Sequence, residues 1–329
     1  MRMILLGDLV SSYVGGLKPQ LTVPCELVPV PDATERSRQE VLFAEADAAL
    51  VLAWPKGLPP APRLRLLQVS GAGYEAVDFE AVPAAATICN AFGHEEAMGE
   101  YAVMAMLAWC HQFPTYLTAF RRGSWRLGSR FGGPFHDELN GKTVGILGLG
   151  RIGAAVASRA KALGTTVIAI NRTARPKPSF VDRLYAWSER HPFMAAADFV
   201  VVACALNEDT RGLVDGAALA QMGRKAVIMN LGRGPIIEED ALYDALKGRR
   251  IGGAILDVWW QYPPLDQPEA PPSRHPFRKL PNVFMTPHVS GWTHGMLRRR
   301  MAQVADNIAR LSRGEPLMNV VRPARPANR

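Results

Sequence analysis

Leu139-Asn140-Gly141-Lys142-Thr143-Val144-Gly145-Ile146-Leu147-Gly148-Leu149-Gly150-Arg151-Ile152-Gly153 is a polar turn, an apolar run and then three glycines in G-x-G-x-x-G spacing. The small residues that follow, Ala154, Ala155, Val156, Ala157 and Ala160, suit a helix lying close against a sheet, and Thr165 to Ile170 reads as a second strand. Strand, glycine turn, helix, strand is the order of a dinucleotide-binding unit. Gly148 allows the tight turn, Gly150 lets backbone approach a pyrophosphate, and Gly153 lets helix and strand touch. The phosphates would then meet N–H groups at a helix N-terminus.

The residue ending the second strand bears on which nicotinamide cofactor fits. An Asp or Glu there would bind the adenosine ribose hydroxyls and repel a 2′-phosphate. This chain has Asn171-Arg172-Thr173 instead, 18 residues after Gly153, with Arg175 and Lys177 close behind. Guanidinium groups pair bidentately with phosphate oxygens, so the expectation is NADP in preference to NAD.

At 329 residues the chain is long enough for two domains, and 48% apolar with 21% charged residues is ordinary for a globular enzyme. No apolar run is long enough to span a membrane, and Asp8 interrupts the apolar start, so no membrane partner and a cytoplasmic location are expected. Cys25, Cys89, Cys110 and Cys204 lack metal or redox spacing and read as reduced thiols. The net charge of +8 is spread along the chain without a nucleic-acid-binding motif, so no specific nucleic acid is expected. Such a surface attracts anionic substrates and cofactors.

Short apolar runs at Met3 to Leu6, Ala48 to Ala53, Arg65 to Val69 and Thr87 to Cys89 read as parallel strands of a separate α/β unit. Met98, Tyr101, Ala102, Ala105, Met106 and Trp109 have helical spacing in a helix from Glu96 to about Phe113. Further strands are expected at Phe199 to Cys204, Ala226 to Met229, Gly253 to Leu256 and Val283 to Met285. Pro263 to Pro281 is expected to wrap the surface as a loop. Leu297, Met301, Val304, Ile308 and Leu311 then mark a closing helix ended by Gly314. Leu317 to Val321 is either a last strand or extended packing, and the tail beyond Arg322 is expected to be disordered.

Four segments in this order, Leu139 to Gly153, Asn230 to Glu239, Gly253 to Trp259 and Thr286 to Gly291, make the chain resemble the D-isomer-specific 2-hydroxyacid dehydrogenase family. That family includes glyoxylate/hydroxypyruvate reductases, phosphoglycerate dehydrogenase, phosphite dehydrogenase and formate dehydrogenase. The resemblance implies an α/β fold of two Rossmann-like or flavodoxin-like domains, doubly wound parallel sheets with a cleft between them. Residues 1–97 and 288–329 would form the discontinuous substrate domain and 98–287 the dinucleotide domain, with a homodimer through the dinucleotide domains. It puts the cofactor along Gly148, Gly150, Arg151, Ile152, Gly153, Asn171, Arg172, Thr173, Arg175, Ala205, Leu231, Gly232, Ser290 and Gly291, with Asp257 orienting the carboxamide.

Hydride transfer to a small anionic 2-oxo acid requires a cation to hold the carboxylate and polarise the ketone, and a proton donor for the developing alkoxide. Arg233, in Gly-Arg-Gly after an apolar strand, fits the first need; His288, in Thr-Pro-His-x-Ser-Gly, fits the second. The family's usual Glu partner of that His falls five residues after Asp257, where this chain has Tyr262. Either Tyr262 or, with a one-residue shift, Gln261 takes its place, and without an anion His288 should have a lower pKa. Ala72 and Gly73 match the loop whose backbone N–H groups bind substrate carboxylate, and His94 falls near a second substrate loop, where it either contacts substrate or caps the next helix. Trp259, Trp260 and Trp292 either wall the cleft or pack in the core. The resulting expectation is a reductase of glyoxylate- or hydroxypyruvate-like acids. The missing Glu leaves a formate- or phosphite-type dehydrogenase as one rival, although His94 stands where formate dehydrogenase has Asn; a low-turnover NAD(P)-sensing protein is the other.

Overall fold

The computed structural model describes residues 1–173, 175–264 and 267–325. Up to residue 94 the elements are β1 (Arg2–Leu6), α1 (Asp8–Ser11), α2 (Val14–Leu17), β2 (Glu26–Val30), α3 (Arg36–Ala44), β3 (Ala48–Val51), β4 (Leu66–Val69) and β5 (Thr87–Cys89). From residue 95 come α4 (Glu95–Cys110), α5 (Phe113–Arg121), β6 (Thr143–Leu147), α6 (Arg151–Ala162), β7 (Thr166–Ile170), β8 (Arg183–Tyr185), α7 (Arg190–Ala196), β9 (Phe199–Val202), α8 (Gly216–Gln221), β10 (Val227–Asn230), α9 (Glu239–Lys247), β11 (Gly253–Leu256) and β12 (Val283–Met285). The chain closes with α10 (His294–Arg313) and β13 (Val320–Arg322).

These elements fall into two compact units, Met1–His94 with Thr293–Arg329, and Glu95–Trp292. The divisions lie a few residues from 97/98 and 287/288, so the His288 loop goes with the dinucleotide unit. The physical reason is the loop's anchorage, described below, on the end of β11.

The first unit has a six-stranded sheet in the order β13-β5-β4-β3-β1-β2, parallel except for β13, which runs antiparallel to β5. The final segment is thus a strand only from Val320 on; Leu317 to Asn319 lead into it. The second unit has seven strands in the order β12-β11-β10-β9-β6-β7-β8, all parallel. Strand order reverses between β6 and β9, the crevice where an open α/β sheet takes ligands at its strand carboxyl ends.

Central strands are covered on both faces, which is why β3, β9 and β11 read as unbroken apolar runs and β4 and β10 are apolar but for one buried amide each, Gln68 and Asn230. Along β9, Phe199 and Val201 join one core while Val200 and Val202 join the other, the two-residue alternation of a strand. Two strands, β2 and β8, were not expected from the sequence. Both are sheet edges, where Pro29 and exposed polar residues are tolerated and the apolar signal is weak. α4 ends three residues earlier than expected, and α5 was also unforeseen. The proline-rich stretch contains a 3₁₀ turn, Phe277–Lys279, that buries Phe277; Leu265 and Asp266 lie outside the described residues. So do residues 326–329, on which the expectation of tail disorder mostly falls. Among the described residues no helix is long and apolar enough to cross a membrane.

Candidate active site

β6 delivers the chain into Gly148 at φ +100°, where an added Cβ would lie 2.6 Å from the backbone nitrogen of Cys204, just past β9. No side chain fits at that crossing. At Gly150 a Cβ would meet nothing within 4 Å, so the turn opens outward there. At Gly153 it would lie 2.1 Å from the Gly148 carbonyl oxygen, which is how α6 touches the turn. α6 starts at Arg151 with Gly150 as a cap that brings no side-chain hydrogen bond. Three glycines thus do three different things, and together they leave an open helix start without a side-chain cap, suited to a pyrophosphate.

At the end of β7, Asn171 Nδ2 donates to the Thr173 carbonyl at 2.8 Å, Arg172 ion-pairs with Asp209, and Arg175 donates to the Leu149 carbonyl inside the glycine turn. Lys177 Nζ donates to the Val181 carbonyl at 2.6 Å, away from that turn. Arg151 lies 3.9 Å from Glu95, and Ile152 is half-buried. Ala205 accepts a 2.7 Å hydrogen bond from Thr210 Oγ1 in the turn after β9. Cys204 between the strand ends is inert as a nucleophile, because burial pushes its thiol up to about 11.

The end of β10 builds the arginine turn. Fully buried Asn230 folds back so that its Oδ1 accepts from Gly232 N at 3.1 Å and its Nδ2 donates to the Arg233 carbonyl at 3.0 Å. Leu231 is buried, and a Cβ on Gly232 would strike the Cys204 carbonyl at 2.7 Å. Arg233 is half-buried, with Nη1 donating to the Gly232 carbonyl at 2.9 Å. Asn230 holds this turn, yet it was not singled out in the sequence; its place as the first polar residue after an apolar strand was the available signal.

The histidine loop is held from below. Asp257, with no accessible surface, accepts from Thr286 Oγ1 at 2.5 Å, Val289 N at 2.9 Å and Ser290 N at 2.9 Å. Thr286 spends its proton on that carboxylate, so in the 2.6 Å contact Tyr101 donates to Thr286. His288 itself sits at φ +58°, a left-handed conformation costly for a side chain with a Cβ, and the grip of Asp257 on the next two amides maintains it. The Asp257 carboxylate, expected to orient a carboxamide, is occupied in this anchoring. Tyr101 and Thr286 in that chain were not foreseen as site residues.

Tyr262 Oη lies 2.9 Å from His288 Nδ1. Of the two partners considered, Tyr262 makes this bond, while the Gln261 backbone N–H is tied to the Pro272 carbonyl. Although part of the residue is open to solvent, the protein crowding the imidazole disfavours its charged form, so the His288 pKa is lowered from 6.5, chiefly by desolvation, with Asp257 opposing and Arg233 adding to the depression. Burial pushes the Tyr262 phenol up, with the Arg233 charge opposing, so it stays protonated at neutral pH although half its surface is open. Arg233, Tyr262 and His288 are therefore near enough to feel one another's charge.

The fit to a dinucleotide rests on two features of the structure: the outward-facing cradle at Gly150, and the Ser290 hydroxyl, buried with no hydrogen-bond partner beside His288. Residues 103–290 match the family model for the D-isomer specific 2-hydroxyacid dehydrogenase NAD binding domain. The chain belongs to the D-isomer specific 2-hydroxyacid dehydrogenase family. It is 32% identical to a glyoxylate reductase of Korarchaeum cryptofilum over 79% of this chain and 77% of that one. It is 32% identical to a D-3-phosphoglycerate dehydrogenase of Methanocaldococcus jannaschii over 88% of this chain, but spans only 54% of that relative's length. A solved NADPH-dependent glyoxylate/hydroxypyruvate reductase from Sinorhizobium meliloti superposes with a TM-score of 0.79 at 28% identity, covering 97% of each chain.

The remaining expected substrate residues, Ala72, Gly73 and His94, lie in the first unit. The loop of Gly71, Ala72 and Gly73 is tied to the next one by Ala91 N to the Gly71 carbonyl at 3.0 Å and Asn90 Nδ2 to the Ala72 carbonyl at 2.8 Å. His94 Nδ1 is 3.5 Å from Arg300, and Arg299 Nε donates to the Gly93 carbonyl at 2.9 Å, so α10 holds this loop. Gly291 follows the buried Ser290. Trp259 and Trp260 pack inward, donating to the Thr286 and Ile237 carbonyls at 3.0 and 2.8 Å, whereas Trp292 is exposed.

Proposed function

We propose that this protein is a nicotinamide-dependent reductase of small 2-oxo acids of the glyoxylate or hydroxypyruvate kind, with NADPH preferred over NADH. The observation that carries this reading is the Tyr262–His288 hydrogen bond beside Arg233, in the same unit as the glycine cradle. A bound nicotinamide supplies the hydride to the carbonyl carbon. Arg233 holds the substrate by its charge and polarises the ketone oxygen, and protonated His288 gives its Nε2 proton to that oxygen as negative charge develops. Tyr262 can accept from Nδ1–H, both in the imidazolium and in the neutral ring left after transfer, and so keeps the ring aimed throughout. Ala72 and Gly73, whose loop lets backbone approach a ligand, take the substrate carboxylate on their N–H groups. The cations Arg172 and Arg175, in place of a carboxylate after β7, support NADPH.

The neutral partner of His288 also favours a second reading, oxidation of formate or phosphite, in which an imidazolium stabilised by a Glu is not needed. A panel of 2-oxo acids with NADPH and NADH, run beside formate and phosphite with the oxidised cofactors, decides between them by nicotinamide absorbance. Reduction of glyoxylate or hydroxypyruvate with NADPH supports the first reading; turnover of formate or phosphite alone overturns it. We further propose a homodimer through the dinucleotide unit, supported by the exposed apolar face Phe113, Leu117 and Phe120 of α5.

A further inference from the structure

Asp209 has no part in the chemistry above, yet its carboxylate is ion-paired with Arg172, the first cation after β7. It stands at the tip of a stiff turn. Asn207 N donates to Thr210 Oγ1 at 2.8 Å, Thr210 N donates to Asn207 Oδ1 at 3.1 Å, and Thr210 Oγ1 donates to the Ala205 carbonyl at 2.7 Å. Thr210 is buried, so the turn is pinned to the end of β9 while Asp209 and Arg172 remain exposed. A fixed anion therefore faces Arg172 from the opposite side of the strand order's switch point.

We propose that Asp209 sets cofactor selectivity by competing with the 2′-phosphate of NADPH for Arg172, so that it weakens NADPH binding and leaves NADH binding almost untouched. The inference rests on the reading that Arg172 meets that phosphate. A 2′-phosphate carries a charge of roughly −1.5 to −2, as phosphate monoesters do near neutral pH, and sharing one guanidinium with a carboxylate puts two anions side by side. A ribose hydroxyl is uncharged and feels no such repulsion. The pair is exposed, which limits the effect to about threefold in Kd and makes it shrink as salt is added.

The test measures Kd for NADPH and NADH by calorimetry on the full chain, with Asp209→Asn, Arg172→Gln and the double variant. Asp209→Asn is expected to tighten NADPH about threefold at low salt and to leave NADH unchanged, and the gain should vanish in the Arg172→Gln background. Glu208→Gln, which removes the neighbouring exposed acid, should have a smaller effect. Unchanged or weaker NADPH binding in Asp209→Asn overturns the inference, as does an equal gain from Glu208→Gln. If Arg172→Gln leaves the ratio of NADPH to NADH affinity as it was, the underlying NADPH reading fails instead.

Discussion

A tyrosine beside the histidine proposed to carry the proton changes when that histidine is charged. A carboxylate would stabilise the imidazolium; the Tyr262 phenol, kept protonated by burial, does not, and burial with Arg233 pulls the His288 pKa below its ordinary 6.5. Reduction needs the protonated ring, so kcat/KM for a 2-oxo acid is expected to fall with rising pH through a midpoint below 6.5. Tyr262→Glu should move that midpoint upward, and a profile displaced downward instead would refute the assignment. Tyr262→Phe keeps the ring but loses the hydrogen bond, and a drop in kcat of about fivefold is expected; unchanged turnover would mean the tyrosine only packs. The same depressed pKa has a consequence for stability. The unfolded chain takes up the His288 proton first, so the contribution of this residue is intact above 6.5 and declines as pH falls below it. Arg233→Ala, by removing the cation from the developing alkoxide, should lower kcat/KM by roughly 10²–10³ while leaving the nicotinamide Kd within twofold.

Among elements, the loop after β12 shows how local strain is maintained. A left-handed His288 persists because Asp257, fixed at the end of β11, accepts from the next two amides, and because Thr286 and Tyr101 continue the chain of hydrogen bonds into α4. The glycine turn is controlled by sterics instead. Gly153→Ala would set a methyl 2.1 Å from the Gly148 carbonyl oxygen, and neither backbone can yield cheaply, so both nicotinamide binding and thermal stability should fall together. α10 offers a contrast in which stability changes alone. Thr293 Oγ accepts from Met296 N at 3.0 Å as its N-cap, and Thr293→Ala is expected to cost about 1 kcal/mol in denaturant unfolding without altering the nicotinamide Kd.

At the scale of the whole molecule, the two sheets solve the same problem with different orders. Each is covered on both faces, and each leaves only short or proline-bearing strands at an outer edge, which discourages edge-to-edge pairing between copies. The apolar face of α5 belongs to a stretch rich in exposed apolar side chains, with Phe113 and Phe120 both more than half exposed and Trp125, Phe131 and Phe135 close behind in sequence. If that face is the homodimer contact, Phe120→Glu should convert a dimer into a monomer in sedimentation equilibrium. A wild-type chain that sediments as a monomer at all accessible concentrations would remove the proposal.

What could be read from the linear chain were the features set by near neighbours. The spacing of Gly148, Gly150 and Gly153, the apolar runs of the central strands and the repeat from Leu297 to Leu311 each depend on steric and periodic rules acting over a few residues, and they specified two α/β units and a dinucleotide turn. The candidates Arg233, His288 and Tyr262 came from motifs, because each follows a strand end at a fixed offset. The edge strands β2 and β8 were not legible, since half-exposed strands carry little apolar signal. Nor were the meeting of Tyr262 with His288 through space, the burial of Asp257 beneath the histidine loop, the contact of Tyr101 with Thr286 or the pairing of Arg172 with Asp209. Those depend on distances between residues up to 185 positions apart, as Tyr101 and Thr286 are. Only the closing of the tertiary structure sets such distances, because no local rule of the chain relates one strand end to another.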